Sequence, residues 1–364
     1  MRSSTANLHN ARFSRRRQGE HHAFRLSAIL IVAGLVTAAP ALSCSRILWN
    51  DNGYGTLVGR NMDWSDDMGT NLWLLPRGMA RNGLAPTQPL SWTSKYGSVA
   101  ITAYDMATAD GMNEKGLVVH MLYLGSMQPG PRDTKRPGLS VSMWTQYYLD
   151  NFPTVASAVD AWKTVDYQLL DANEPSGGRI TVHLAMEDAT GDSAILEVVD
   201  GQMKIYHDRR YTVMTNEPTY DKQLELLKQY DFKGGKSLPG SYTASDRFIR
   251  GAYYRQHLPR PETQREAVAY LMAAMRNVAG PFVDDPDRAD ESTTIWRTVT
   301  DPGKGLIYFD SVVSPQVFWI DFRRLTFDGD EVRRITVVGN DDLHGDVSDK
   351  FRKAAMFSFL KPNP

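Results

Sequence analysis

Cys44-Ser45-Arg46-Ile47-Leu48-Trp49-Asn50-Asp51-Asn52-Gly53-Tyr54-Gly55-Thr56-Leu57-Val58-Gly59-Arg60 is a pair of apolar runs on either side of an Asn/Asp/Gly cluster. Such a cluster between two strand-forming runs predicts a β-hairpin. Cys44 begins its first strand, so a ladder of backbone hydrogen bonds, rather than a loose terminus, would hold this residue.

Upstream of Cys44 the chain changes character. Arg12, Arg15, Arg16, Arg17 and Arg25 precede an apolar run from Leu26 to Val36, followed by Thr37-Ala38-Ala39-Pro40-Ala41. A basic segment, a short apolar core and the small-residue site Ala41-Leu42-Ser43 read as a secretory signal peptide over residues 1–43. The apolar run is short for a membrane span, and Ser14-Arg15-Arg16-Arg17 is also readable as a twin-arginine signal. A periplasmic or secreted protein is expected, cut after Ser43, with no membrane attachment afterwards. The leader carries six Arg against one Glu, so its removal takes the formal charge from −1 to −6. An acidic body argues against nucleic acid or an anionic membrane as partner. No Pro/Gly/Ser-rich linker divides the rest, which reads as a single domain over residues 44–364.

The chain of 364 residues has one cysteine. A disulfide within the chain is excluded, and an unpaired cysteine at an export junction is a reactive thiol, an intermolecular bridge or a lipid anchor. The lipid reading fits poorly, because Ala41 and Leu42 stand in each other's expected places before Ser43. The histidines are scattered, so no metal site is read. No GxGxxG, Walker A or G-x-S-x-G pattern occurs, and no cofactor is expected.

Downstream, a second hairpin is predicted between Val99–Ala103 and Leu117–Leu122, then helices over Leu139–Asp150 and Thr154–Val165, with Thr154 as N-cap. Residues 179–215 read as successive antiparallel strands. Helices follow at Tyr220–Tyr230, Asp246–His257 and Gln264–Ala279, and strands return at Thr294–Val299, Gly305–Phe309, Gln316–Ile320 and Arg333–Val338. Strands and helices alternate in blocks rather than singly. That predicts an α+β fold of antiparallel sheets with helices on their outer faces, not a parallel doubly wound one.

An N-terminal cysteine has its own α-amine beside its thiol, with ordinary pKa values of about 7.7–8.0 and 8.5, so proton exchange between them is almost thermoneutral. Nearby, Gly59-Arg60-Asn61-Met62-Asp63-Trp64 places an Arg and an Asp on the adjoining strand. On a straight strand Arg60 and Asp63 point to opposite faces, so both reach Cys44 only if the strand ends or bulges near Met62. An Arg/Asp pair of this kind is otherwise an ordinary ion pair.

Taken in order, a junction cysteine, GRNMDW, Asn113-Glu114-Lys115-Gly116-Leu117, Thr215-Asn216-Glu217-Pro218-Thr219 and Ser245-Asp246-Arg247-Phe248 resemble the choloylglycine hydrolases, which comprise bile salt hydrolases and penicillin V acylases. The resemblance covers residues 44 to about 321. It implies a four-layer αββα sandwich of the N-terminal-nucleophile hydrolases that cleaves linear C–N amide bonds of small molecules. It implies Cys44 as nucleophile with its freed amine as base, Arg60 and Asp63 beside the thiol, Asn216 in the oxyanion hole and Arg247 as second guanidinium. Arg60 and Arg247 would then favour the thiolate. Tyr123 stands where many bile salt hydrolases have Asn, as in penicillin V acylases, and its backbone N–H would serve the oxyanion. Its ring, with Met62, Trp64 and Trp296, would suit a flat or apolar acyl group; Tyr123 and Trp296 are equally readable as core aromatics. Acyl preference is expected in loops around residues 65–75 and 125–137. Acyl-homoserine-lactone acylase and bile salt hydrolase are alternative activities. A Cys44-lipidated binding protein is an alternative of another class. The stretch between Asn216 and Arg247 is shorter than in Gram-positive members, where it carries an assembly loop, so homo-oligomer formation stays open.

Overall fold

The computed structural model describes residues 44–175, 177–282, 292–314 and 316–363. The segment read as a signal peptide, residues 1–43, lies outside the described residues. Strands β1 (Ser45–Trp49) and β2 (Leu57–Trp64) pair antiparallel, with Trp49 opposite Leu57 and Ser45 opposite Asn61. Asn52 ties the turn: its Nδ2 donates to Trp49 O at 2.9 Å and its Oδ1 accepts from Tyr54 N–H at 2.7 Å. Gly53, at φ +85°, supplies the left-handed residue that the reversal needs.

Among the described residues, this hairpin belongs to a seven-stranded sheet. Its order is Val213–Met214, β1, β2, Thr293–Asp301, Leu306–Ser311, Val317–Asp321 and Gly345–Asp346. A nine-stranded sheet runs Gln202–His207, Ser193–Val199, Val182–Glu187, Val118–Tyr123, Ala107–Asn113, Ser98–Ala103, then β3 (Asn71–Leu75), Arg333–Thr336 and Arg352–Lys353. The period-2 alternation of each strand divides its side chains between two cores. Leu48, Val58 and Met62 of one sheet meet Leu72, Val99, Val118 and Leu122 of the other in a common central core. Ile47, Trp49 and Leu57 point outward to Leu271 and Met275 of a helix, while Val119, Met121 and Leu184 point outward to Trp144 and Tyr148.

The helices therefore lie outside the sheets. Helix α1 (Trp144–Asn151) covers the nine-stranded sheet, and α2 (Val155–Ala161) follows it. Thr154 is the N-cap of α2, in a capping box with Ser157. Helices α3 (Tyr220–Leu227), α4 (Ala244–His257) and α5 (Gln264–Asn277) lie in the chain between Val213–Met214 and Thr293–Asp301 of the seven-stranded sheet. Helix α5 packs on β1 and β2. The result is the four-layer α+β sandwich.

Three expectations need correction. Ser98–Ala103 and Val118–Tyr123 do not form a hairpin, because Ala107–Asn113 is inserted between them as the middle strand of a meander. Its Asp110, Gly111 and Asn113 are of residue types that favour turns, yet all are buried. Asp110 faces His120 at 3.1 Å, and Asn113 Nδ2 donates to Leu149 O and Phe152 O. Residues 71–75, expected in a loop, form β3 within the larger sheet. The first helix starts at Trp144 rather than Leu139, after the short strand Gly138–Ser140 and a single 3₁₀ turn capped by Ser140.

Candidate active site

Cys44 enters β1 on the inner face, beneath the end of β2, and is 2% exposed. Arg60 on β2 shares that face. Its Nη2 donates to Met121 O at 2.8 Å and lies 4.0 Å from Cys44 Sγ. Met62 Sδ and Asp63 O each lie 3.8 Å from Sγ. Strand β2 itself runs on to Trp64. The irregularity that the alternation required lies in its partner strand, where the register slips between Thr294 and Trp296, opposite Asp63 and Met62. Asp63 Oδ1 accepts from Thr294 Oγ1, which in turn accepts from Gly280 N–H. Asp63 Oδ2 lies 4.0 Å from Arg247 Nη1 and makes no hydrogen bond among the described residues.

Asn216 comes from the chain just after Val213–Met214 and Arg247 from α4, yet they close on the same backbone. Cys44 N–H donates to Asn216 Oδ1 at 2.5 Å, and Arg247 Nη2 donates to the same oxygen at 2.8 Å. Arg247 Nη1 also donates to Cys44 O and Ser45 Oγ, both at 2.6 Å. Asn216 Nδ2 donates to Tyr123 O at 2.8 Å. Tyr123 sits opposite Val182, while Leu124 N–H bonds Thr181 O. In an antiparallel ladder that makes Tyr123 a non-bonded position, with its N–H and C=O both turned away from the paired strand. Both face the side where Asn216 stands.

Burial dominates the electrostatics. It pushes the Cys44 thiol above its ordinary value, against the opposing pull of Arg60. Arg60 and Arg247 both pull the thiol down, as expected of them, but desolvation outweighs the two together. Burial also pushes Asp63 up to about 6, against Arg247, Thr294 and Arg60. Arg247 is lowered by burial, partly offset by Asp63 and Cys44.

Sequence reasoning missed a chain of buried charges behind Arg60. Arg60 Nε lies 3.8 Å from Asp110 Oδ2, which is 3.1 Å from His120 Nδ1. His120 Nε2 contacts Glu187, which accepts from Arg46 of β1. Burial alone would lower His120, but Asp110 and then Glu187 carry it up to about 9. These residues are scattered through the sequence in no motif, and only the facing of the two sheets joins them.

Beside Sγ lies a narrow, largely apolar cavity of about 80 Å³, walled by Met62, Trp64, Met68, Tyr104, Met121 and Tyr123 among others. Trp64 Nε1 donates to Tyr104 Oη at 2.8 Å. Of the expected wall residues, Met62, Trp64 and Tyr123 line this cavity. Trp296 does not: it is buried against Phe309, with the Arg60 guanidinium 4.5 Å from its ring centroid. A larger cavity of about 390 Å³ lies on the other side of Trp64, but Cys44 does not line it. Among the described residues no group of three or more His, Cys, Asp and Glu side chains could hold a metal ion.

A family model described as linear amide C–N hydrolases, choloylglycine hydrolase family, matches residues 44–335, starting at the cysteine on which this geometry converges. The chain belongs to the choloylglycine hydrolase family. It is thus a hydrolase of linear amide C–N bonds. It is 37% identical to the penicillin V acylase of Pectobacterium atrosepticum, over 91% of this chain and 96% of that protein. A solved structure of penicillin V acylase from Agrobacterium tumefaciens superposes with a TM-score of 0.78 at 40% identity, covering 87% of this chain and 99% of the other. A Clostridium perfringens bile salt hydrolase/transferase is more distant, at 26% identity over 76% of this chain and 92% of that one. Within this choloylglycine hydrolase fold Arg60 and Asp63 of GRNMDW, Asn216 of TNEPT and Arg247 of SDRF close around Cys44, whereas the turn at Asn113–Leu117 lies elsewhere, Asn113 on Leu149 O and Phe152 O and Glu114 on Arg77.

Proposed function

We propose that this chain is an exported amidohydrolase, cut after Ser43, whose Cys44 thiol is the nucleophile and whose freed α-amine is the base, acting on penicillin V-like acyl amides. One observation carries this reading. The cluster binds the main chain of Cys44 as well as facing its thiol, through Asn216 Oδ1 on N–H and Arg247 on C=O. A catalytic terminus needs that, because both proton carriers belong to one residue.

The thiol proton passes to the α-amine and the thiolate attacks the amide carbonyl carbon, forming the S–C bond. Asn216 Nδ2 and the Tyr123 N–H are on hand for the oxyanion. The α-ammonium then protonates the leaving nitrogen as the C–N bond breaks. Water, deprotonated by the same amine, attacks the thioester, and the thiolate leaves to recover its proton. Asp63 Oδ2, buried and without a hydrogen bond among the described residues, is an acceptor available to the extra N–H groups that cleavage would create. Arg60 stands by to stabilise the thiolate, whose unassisted formation burial opposes.

Lipidation is disfavoured, since Sγ is enclosed by Met62, Asp63 and Arg60. The narrow cavity disfavours a steroid conjugate. Its methionine-rich wall suits a flexible aliphatic chain as well as an aryl one, which favours an acyl-homoserine lactone as second substrate class. Mass determination of exported protein should place Cys44 first, with hydrolysis of phenoxyacetyl or long-chain acyl amides. Cys44→Ala should abolish turnover with the fold intact, and Cys44→Ser should lose most of it. Full activity of a chain still extended before Cys44 would overturn the mechanism.

A further inference from the structure

The segment beyond Lys353 lies outside the residues that the family model matches. It leaves the edge strand Arg352–Lys353 and packs Phe357 on Trp73 at 5.0 Å between ring centroids. It then reaches the cavity of Cys44. Leu360 N–H donates to Met106 O at 2.9 Å, and Leu360 O accepts from Ser140 and Ser142 hydroxyls at 2.7 and 2.8 Å. Asn363 N–H donates to Asp171 O at 2.9 Å, and its Nδ2 donates to Asn173 Oδ1 at 3.0 Å.

These bonds join two separate walls. Met106 and Tyr104 belong to the turn between Ser98–Ala103 and Ala107–Asn113. That turn holds Tyr104 and Asp105 at φ +56° and +47° and is braced by Asp105, which accepts from Asn71, Trp73 and Thr102. Residues 171–173 lead directly into Glu174 and Pro175, which form the opposite wall. The Leu360 side chain sits between them, lining the same cavity as Cys44.

We propose that the C-terminal segment Leu360–Asn363 is a specificity-determining strap. Leu360 closes one side of the acyl cavity and limits the size of the apolar acyl group, while Asn363 holds the two walls at a set separation. The inference rests on the reading of Cys44 as nucleophile and of this cavity as the acyl site. An apolar wall contributes through excluded volume and buried area, so its effect falls on acyl groups long enough to touch it and not on the bond that breaks.

The test is a series of straight-chain acyl amides of one amine, from two to twelve carbons, with kcat and KM measured for the wild type, Leu360→Ala and Leu360→Trp. The alanine variant should move the optimum to longer chains, with kcat/KM for those rising about tenfold. The tryptophan variant should move it to shorter ones through KM. The two-carbon substrate should be unchanged in both. Equal chain-length profiles in all three active enzymes would overturn the strap and leave the amidase reading intact. Failure of the wild type on every amide would instead overturn the underlying reading. Asn363→Ala should broaden the profile without shifting its centre; an unchanged profile would remove Asn363 from the strap. Circular dichroism of each variant separates these outcomes from misfolding.

Discussion

Asp63 holds its proton up to about pH 6 because burial penalises the carboxylate more than Arg247 and Thr294 relieve it. From its ordinary 3.8 up to about 6 the folded chain is protonated where the unfolded chain is not. Its contribution to stability is therefore full below that window and is lost as pH rises through it. Activity runs the other way, since the carboxylate is the form that can accept from the Cys44 amine. The pH profile of kcat/KM should show an acidic limb at or below about pH 6, the freed ammonium drawing it lower. Asp63→Asn keeps the shape and removes the charge. It should lower kcat/KM about 10²-fold, flatten that limb and raise the urea midpoint at pH 7. A variant that keeps both the rate and the limb would remove Asp63 from the proton economy. Arg60 and Asp63 were readable as a pair from GRNMDW, but their division of labour was not. Thr294, which orients Asp63, lies 231 residues away in the chain, with nothing local to mark it.

At the level of elements, α5 lies so close on β2 that a Cβ at Gly59 would sit 2.5 Å from Met275 Cγ and 2.7 Å from Met275 Sδ. Those atoms end a flexible side chain. Gly59→Ala should cost about 1–3 kcal/mol, and adding Met275→Ala should restore much of it. At Gly111 the added Cβ would meet Val99 O at 2.6 Å, a backbone atom within the meander. Gly111→Ala should cost more and find no single side-chain rescue. Chemical denaturation of the three variants checks both statements, and equal losses at Gly59 and Gly111 would refute the distinction. The same contrast explains which elements the sequence revealed. The β1–β2 hairpin, α2 with its Thr154 cap and the strands of residues 182–207 carry local signals. Ala107–Asn113 does not, because its Asp, Gly and Asn are chosen by close sheet packing and by buried partners on another strand and at the end of α1. Val213–Met214 reads as one more strand in the same run, yet it crosses to the other sheet to pair with β1.

Across the whole molecule, Arg46, Glu187, His120, Asp110 and Arg60 string three cations and two anions through the centre of the sandwich, the last of them beside Sγ. His120, carried up to about 9, contributes stability that is full below about pH 6.5 and lost as pH rises through about 9. His120→Gln should flatten that alkaline decline. It should also lower stability at pH 7 by about 3–5 kcal/mol, because it removes the cation shared by two buried carboxylates and leaves each with one arginine. Thermal unfolding from pH 6 to 10 decides this, and an unchanged pH dependence would show that His120 is neutral in the chain. By itself the amino-acid sequence determined the α+β class and the family resemblance, both of which rest on short local patterns, and that resemblance pointed to Arg60, Asp63, Tyr123, Asn216 and Arg247 as neighbours of Cys44. The thiol's raised pKa, the buried ion chain, the cavity wall and the strap over it were decided only when two sheets closed face to face. Burial, and the neighbours that answer it, belong to the packed molecule and not to any segment of its chain.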